Sequence, residues 1–361
     1  MLSEDLFLAA RTYGTPAYLF DHDQLTGRVL AIKDRLDPSI GLCYAMKANP
    51  LLIDTMVSLT DRIEVCSPGE LTICISNQIP PEKILLSGVN KRKEDIQEAL
   101  ACGVTSFTAE SPLQMTLLHE SAAANGIRID VLLRLCAGSQ FGMDPADLKR
   151  IVRERTSLPW CHIAGLHYFT GTQRKAPKHQ AADMEKICHF LRELKEECDF
   201  IPQQLEYGPG LYVPYFEGEP ADDMEGIGQI GDMLMRILPG GCRVTIEMGR
   251  YFAASCGYYL TSAVDIKVND GHRYLILDGG IHQLNYYGGM MGLKIPSFIH
   301  FKASDTAVSS GAGSVAAPAY GDVPKKGWCL CGSLCTTADV LIRSVPLCDP
   351  HPGDLFVFQN A

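Results

Sequence analysis

The chain has 361 residues, 46% of them hydrophobic, enough to bury a large core in one large or two ordinary domains. Its 32 basic and 42 acidic residues leave a net charge of -10, which excludes a nucleic-acid backbone or an anionic membrane as the main partner and points to a small molecule or another protein. The opening MLSEDLFLAARTYGTPAYLF carries early acids and no basic start, so it does not read as a secretory signal, and no apolar run approaches the roughly 18 residues of a membrane span.

Short β-type runs then recur in order: LCYAMKA (42–48), IEVCS (63–67), ILLSG (84–88), SFTAE (106–110), IDVLLRL (129–135), IAGLHY (163–168), QLEYGPG (204–210) and VTIEMG (244–249). Between them lie stretches such as KEDIQEALACG and HQAADMEKICHFLRELKEE, with apolar residues at helical spacing and acid-base pairs on the other face. Strand-helix alternation predicts a parallel sheet, and eight repeats over this length predict an α/β fold closed as a (β/α)8 barrel. After Gly249 the texture changes to runs such as YYLTSAVDIKV, RYLILDGG and DLFVF without a long helical pattern, which predicts a second, β-rich domain. ASDTAVSSGAGSVAAPAYGD (303–322) is small and polar and reads as a mobile surface excursion.

The 14 cysteines are scattered with no recurring paired spacing, so reduced thiols in a cytoplasmic setting are expected. Cys329, Cys331 and Cys335 in WCLCGSLCTT lack a second ligand pair at zinc-finger spacing, and Cys329 and Cys331 fall on one face of a strand, so no metal site is read there.

In a barrel of this type chemistry sits at the C-terminal strand ends. Here those ends supply Lys47, then Ser67, Gly69 and Glu70, then Gly88, Glu110, Arg134, His167 with the TGT turn, Gly208-Pro209-Gly210, and Glu247-Met248-Gly249-Arg250. Lys47 by itself would read as a solvated strand cap. As a nucleophile toward a carbonyl it needs its pKa lowered by a desolvated or cationic setting. Glycine turns with an arginine suit a phosphate. With a Schiff-base lysine and an acid to keep a pyridine nitrogen protonated, they meet the requirements of pyridoxal 5'-phosphate (PLP).

YAMKANP, IEVCSPGEL, GLHYFTGTQ, LEYGPGLYVPY, EMGRYFAASCG, DGG (278–280) and CGSLCTTADVL together resemble the fold-type III PLP-dependent decarboxylases, the diaminopimelate, ornithine and arginine decarboxylase family with an alanine-racemase-like barrel. The resemblance runs in order from TPAYLFD (15–21) to CTTADVL (335–341). It implies a PLP-binding barrel over 22–248 and a β-domain from 1–21 and 249–361, with TPAYLFD as a β-domain strand. It implies further that Lys47 forms the Schiff base, that Glu247 pairs with the pyridinium nitrogen, and that Gly208, Gly210, Gly249, Arg250 and Thr172 hold the phosphate. Arg134 and Asp339 would face the substrate. Cys335, with Asp339, would come from the second subunit of a homodimer with shared sites and, like Lys47, could reprotonate Cα after carbon dioxide leaves.

Three departures sharpen these expectations. Phe169 stands where the family commonly has the second histidine of HxHIGSQ, leaving a ring that can stack on the cofactor but cannot hydrogen-bond. Thr336 follows Cys335 where diamine-producing members place an acid for the distal ammonium, which favours an acidic or carrier-protein-linked amino acid. The family usually continues into a GAY segment past GDLFVFQNA; the last β-run has no following partner strand in the sequence, which favours a missing segment over a site without that tyrosine. The alternatives are diaminopimelate decarboxylation, an amino-acid racemase, which typically places an arginine at the pyridine nitrogen, and a non-catalytic PLP-carrier barrel, which lacks the β-domain. Exact substrate, stereochemistry and pathway stay open.

Overall fold

Strand, cap and helix follow one another in a repeated local code. After the second, fourth and fifth barrel strands a capping residue precedes a proline at the first helical position: Ser67-Pro68, Ser111-Pro112 and Asp144-Pro145. The side chains accept from Glu70 N (3.3 Å), Gln114 N (3.1 Å) and Ala146 N (2.9 Å), and proline has no N-H to leave unpaired there. Ser67 and Glu70 are therefore helix-start residues. Glu70 reaches back to accept from Cys66 N at 2.7 Å, closing the same turn.

The computed structural model describes residues 3–175, 177–221, 224–286, 291–306 and 327–361; most of the expected surface excursion at 303–322 lies outside these. The first strand, β1, is Ala17–Phe20. The next eight are β2 (Ile40–Ala45), β3 (Arg62–Val65), β4 (Ile84–Leu86), β5 (Ser106–Ala109), β6 (Ile129–Arg134), β7 (Cys161–Phe169), β8 (Gln204–Gly208) and β9 (Arg243–Met248). They form a closed parallel barrel in sequence order, with β9 pairing back onto β2. Helices such as Pro112–Asn125 and Pro177–Cys198 alternate with them, as the sequence pattern predicts.

The remaining strands are β10 (Gly257–Asn269), β11 (His272–Leu277), β12 (Phe298–Phe301), β13 (Trp328–Cys331), β14 (Val340–Val345) and β15 (Leu355–Gln359). They make one sheet in the order β12-β15-β10-β11-β13-β14, and β1 joins it antiparallel to β10. Leu6, Tyr258, Leu260, Phe301, Leu355 and Val357 form a core cluster there. β15 lies between β12 and β10, with Val357 opposite Ile299 and Leu260, so both of these partners come earlier in the chain.

The chain divides into two compact units, Thr26–Val213 with Asp222–Ala253, and Met1–Leu25 with Pro214–Ala221 and Ala254–Ala361. The switch after the barrel falls at 253/254, later than the change of texture at Gly249, because Arg250–Ala253 continues from β9 as a short helix.

Candidate active site

Lys47 lies two residues past the end of β2, in a tight turn over Met46–Ala48, and not in the strand itself. The turn is fixed from both sides. Met46 is fully buried, while Asn49 accepts from Leu51 N at 3.0 Å and caps the following turn at Pro50. The lysine stem is thus anchored while its side chain keeps 48% exposure, which leaves the amine reachable.

Three strands converge on that amine. Glu64 from β3 places Oε2 at 2.7 Å from Lys47 Nζ, and Glu247 from β9 places Oε1 at 3.7 Å. His167 from β7 sets Nε2 at 2.8 Å from Glu247 Oε2, and Cys66 Sγ is 3.7 Å from Nζ. Glu64, His167 and Glu247 are all buried. Glu64 is not among the strand-end residues the sequence picks out, and His167 is among them without a role assigned to it. An acid inside the apolar run IEV reads as the solvent side of an amphipathic strand, and only barrel closure turns it inward.

The electrostatics follow from this packing. Burial opposes charge on Glu247, but Lys47 and His167 outweigh it and hold that carboxyl well below the usual carboxylate range. Glu64 goes the other way, pushed up by burial and by Glu247 despite Lys47. Burial alone would lower Lys47, yet Glu64 and Glu247 raise it well above the ordinary lysine value. The lowered pKa expected of a nucleophilic lysine is therefore corrected: its neighbours are anions. Glu64, already inclined to bind a proton, is the group placed to take one from Nζ.

A second lysine near these strand ends makes the comparison clear. Lys91 is buried and its amine is spent on Gly88 O (3.1 Å), Thr108 O (3.0 Å) and Gln114 Oε1 (3.2 Å). Burial pushes it down to about 8, but three neutral acceptors lock its donors into the loop. Lys47 has the accessible amine.

Around the lysine, Phe169 at the end of β7 has its ring centroid 6.0 Å from Lys47 Nζ and 5.9 Å from Arg134 Cζ. A Cβ on Gly208 would come within 2.3 Å of Phe169 Cδ2, so glycine at the end of β8 is what lets the ring lie against the strand. Arg134 is buried and bonded to Glu110 Oε1 at 2.9 Å, while Glu110 Oε2 accepts from Gly142 N at 3.3 Å. This ion pair braces the ends of β5 and β6.

The turns after β7 and β8 touch each other. Arg174 N donates to Gly210 O at 3.0 Å, and Gly210 has φ +61° with its would-be Cβ only 1.8 Å from Gly171 O. Behind them Asp183 accepts from Tyr207 OH at 2.7 Å and pairs with Arg174, so Arg174 is committed to the scaffold. Thr172, Gly208 and Gly210 are thereby brought to one rim, with Gly249-Arg250 following β9, whose strand pairs with β8. Gly210→Ala is expected to cost about 2–4 kcal/mol, from a left-handed backbone and a backbone clash together. Thermal unfolding measures it, and a loss under 1 kcal/mol would show that the two turns can part freely.

Glu64, His167 and Glu247 have ligand atoms within 4.8 Å of one another, a set a divalent cation could use, but the Lys47 ammonium already supplies their positive charge. The residues do fit PLP: an accessible amine for its aldehyde, a charged carboxylate braced by histidine for its ring nitrogen, a flat apolar ring, and glycine turns close enough to cradle a phosphate.

Barrel, lysine and carboxylates define a PLP enzyme of the alanine-racemase-like fold. Residues 22–254 match the pyridoxal-dependent decarboxylase, pyridoxal binding domain, and the chain belongs to this family of PLP-dependent amino-acid decarboxylases. It is 29% identical over 299 residues to diaminopimelate decarboxylase of Zymomonas mobilis, covering 76% of this chain and 70% of that one. It is 26% identical over 373 residues to L-glutamyl-[BtrI acyl-carrier protein] decarboxylase of Niallia circulans, covering 97% and 84%. In fold it resembles lysine/ornithine decarboxylase from Vibrio vulnificus complexed with cadaverine, with a TM-score of 0.83 at 22% identity over 99% of this chain and 91% of that one. Among the described residues no helix is long and apolar enough to cross a membrane.

In the β-rich unit the loop after β13 carries the remaining candidates. Cys335 and Thr336 are exposed at its tip. Asp339, expected at the substrate, is buried at its base: its carboxylate accepts from Ile281 N and Leu334 N, each at 2.8 Å. It shapes the loop, and the charge it carries is turned inward.

Proposed function

We propose that this decarboxylase acts on an amino acid without a distal ammonium, either an acidic one or one linked to a carrier protein. The observation that carries this is the loop Gly332–Ala338. It has no charged side chain, its exposed tip offers Cys335 and Thr336, and Asp339 is occupied by backbone N-H groups. A hydrogen bond to a charged group is worth roughly 1.5–3 kcal/mol, so a missing acid weakens diamine-type substrates by about one to two decades. The Niallia circulans relative, whose name specifies a glutamyl group on an acyl carrier, is in keeping with this reading. Diaminopimelate, the substrate in the name of the Zymomonas mobilis relative, is the competing reading.

Bound PLP supplies an aldehyde for the substrate amine and a conjugated ring that takes up the electron pair left by carbon dioxide. The chain's own residues do the rest. Lys47 Nζ would hold the cofactor's aldehyde carbon, and Glu64, 2.7 Å from Nζ, is placed to hold the proton that Nζ releases. Glu247, kept charged by Lys47 and His167, would hold a proton at the ring nitrogen, and Phe169 would offer an apolar face to the ring. Cys335 Sγ, exposed at a loop tip, suits delivery of a proton at Cα across a homodimer with shared sites.

Carbon dioxide release from a panel of free and carrier-bound amino acids tests the assignment. Preference for diaminopimelate, lysine or ornithine over glutamate-type substrates would overturn it. Thr336→Asp is expected to raise kcat/KM for diamine-forming substrates about tenfold by restoring the charge-assisted bond; an unchanged ratio would remove Thr336 from specificity.

A further inference from the structure

β13 sets two thiols side by side at the base of the loop that bears Cys335. Cys329 and Cys331 share the half-exposed face of the strand, with Leu330 fully buried on the other, and their sulfurs are 3.6 Å apart. In a regular strand, residues two apart have Cα atoms about 6.6 Å from each other, at the long end of what a disulfide spans. Here the register of β13 against β14 shifts on both sides of Leu330, and such irregularity bends a strand. The sulfurs already face one another, so bond formation asks for movement of about 1.5 Å.

The surroundings separate the two thiols chemically. Cys329 is lowered to about 7, first by its hydrogen bond with Cys331 and then by Arg343, which is exposed on neighbouring β14. Cys331 is raised by that same bond and by burial, with Asp339 adding to it and Lys267 opposing. With Arg343 beside Cys329 and Asp339 beside Cys331, Cys329 is the sulfur placed to act as nucleophile and Cys331 its resolving partner. None of the chemistry at Lys47 uses either.

We propose that Cys329 and Cys331 form a reversible dithiol-disulfide couple, a modification site for a small peroxide-class oxidant. The Cys329 thiolate attacks one oxygen of hydrogen peroxide; the O-O bond breaks, the departing hydroxide takes a proton to become water, and the sulfur becomes a sulfenic acid. Cys331 then attacks that sulfur; the S-S bond forms as the S-O bond breaks, and the hydroxyl leaves with the Cys331 proton as a second water. Two thiols and one peroxide give one disulfide and two waters.

The test treats the full-length holoenzyme with a slight excess of hydrogen peroxide, alkylates the remaining thiols after denaturation, and maps peptides by mass. The expected product is a peptide spanning both residues, lighter by two hydrogens, restored by dithiothreitol, and formed about one decade faster than oxidation of exposed Cys348. Cys331→Ser should stop Cys329 at a sulfenic acid that dimedone traps. The proposal fails if both cysteines are alkylated while Cys348 is oxidised. It fails equally if Cys331→Ser leaves Cys329 in a reducible disulfide, since a different thiol would then be its partner.

Discussion

Lys47→Ala should lower turnover by at least about 10³-fold and leave the purified protein without a borohydride-reducible cofactor linkage. Two effects combine in this result. The amine is lost, and Glu64 and Glu247, both buried and both leaning on Nζ, lose their shared counter-charge. Lys47→Arg separates them. A guanidinium keeps the charge but cannot condense with an aldehyde at working pH, so melting temperature should recover while turnover does not. Borohydride reduction of the wild-type holoenzyme followed by peptide mapping should place the pyridoxyl group on Lys47. A label on Lys91 instead would assign the chemistry to the wrong strand end.

Glu247→Gln should leave that linkage in place and lower kcat by about 10²-fold, because a neutral amide cannot hold a proton on the ring nitrogen. The pH dependence of stability gives a second reading. Glu247 has its folded pKa depressed, so its contribution is present above the ordinary glutamate range and disappears as pH falls through the folded value. Glu64 has its folded pKa raised, partly by Glu247, so stability from it is gained as pH falls through that raised value and is lost again as pH rises through it. In Glu247→Gln the acid-side loss due to residue 247 should vanish and Glu64 should titrate at lower pH. Chemical denaturation at a series of pH values checks both; an acid limb identical to wild type would mean that the two carboxylates are not coupled.

The barrel was legible because its signals are local. Apolar runs of strand length, helices with one apolar face, and Ser-Pro or Asp-Pro starts recur in register with the fold they make. Lys47, Glu247 and the glycine turns could be found because strand ends are marked in sequence and their sum is informative. What could not be read depends on contacts far along the chain. Glu64 looks solvated until β3 closes against β2, the direction of the Lys47 shift depends on which charges meet it, and Asp339 looks like a ligand-facing group until the N-H groups of Ile281 and Leu334 claim it. Nor does the local pattern reveal that Pro214–Ala221 leaves the barrel, or that β15 finds both its partners behind it.

The pairing of β1 with β10, Ala17 opposite Leu260, also sets an order of events during synthesis. Every strand of the barrel emerges between those two residues. At roughly 5–20 residues per second the ribosome needs on the order of 10–50 seconds to deliver the second partner after the first. Through that interval the barrel can close, while residues 17–20 wait as an unpaired edge of the kind chaperones recognise. The β-rich unit is therefore the late, post-barrel step of biogenesis, and a chain truncated at residue 253 and released from the ribosome should display a protease-resistant barrel with a cleavable N-terminus.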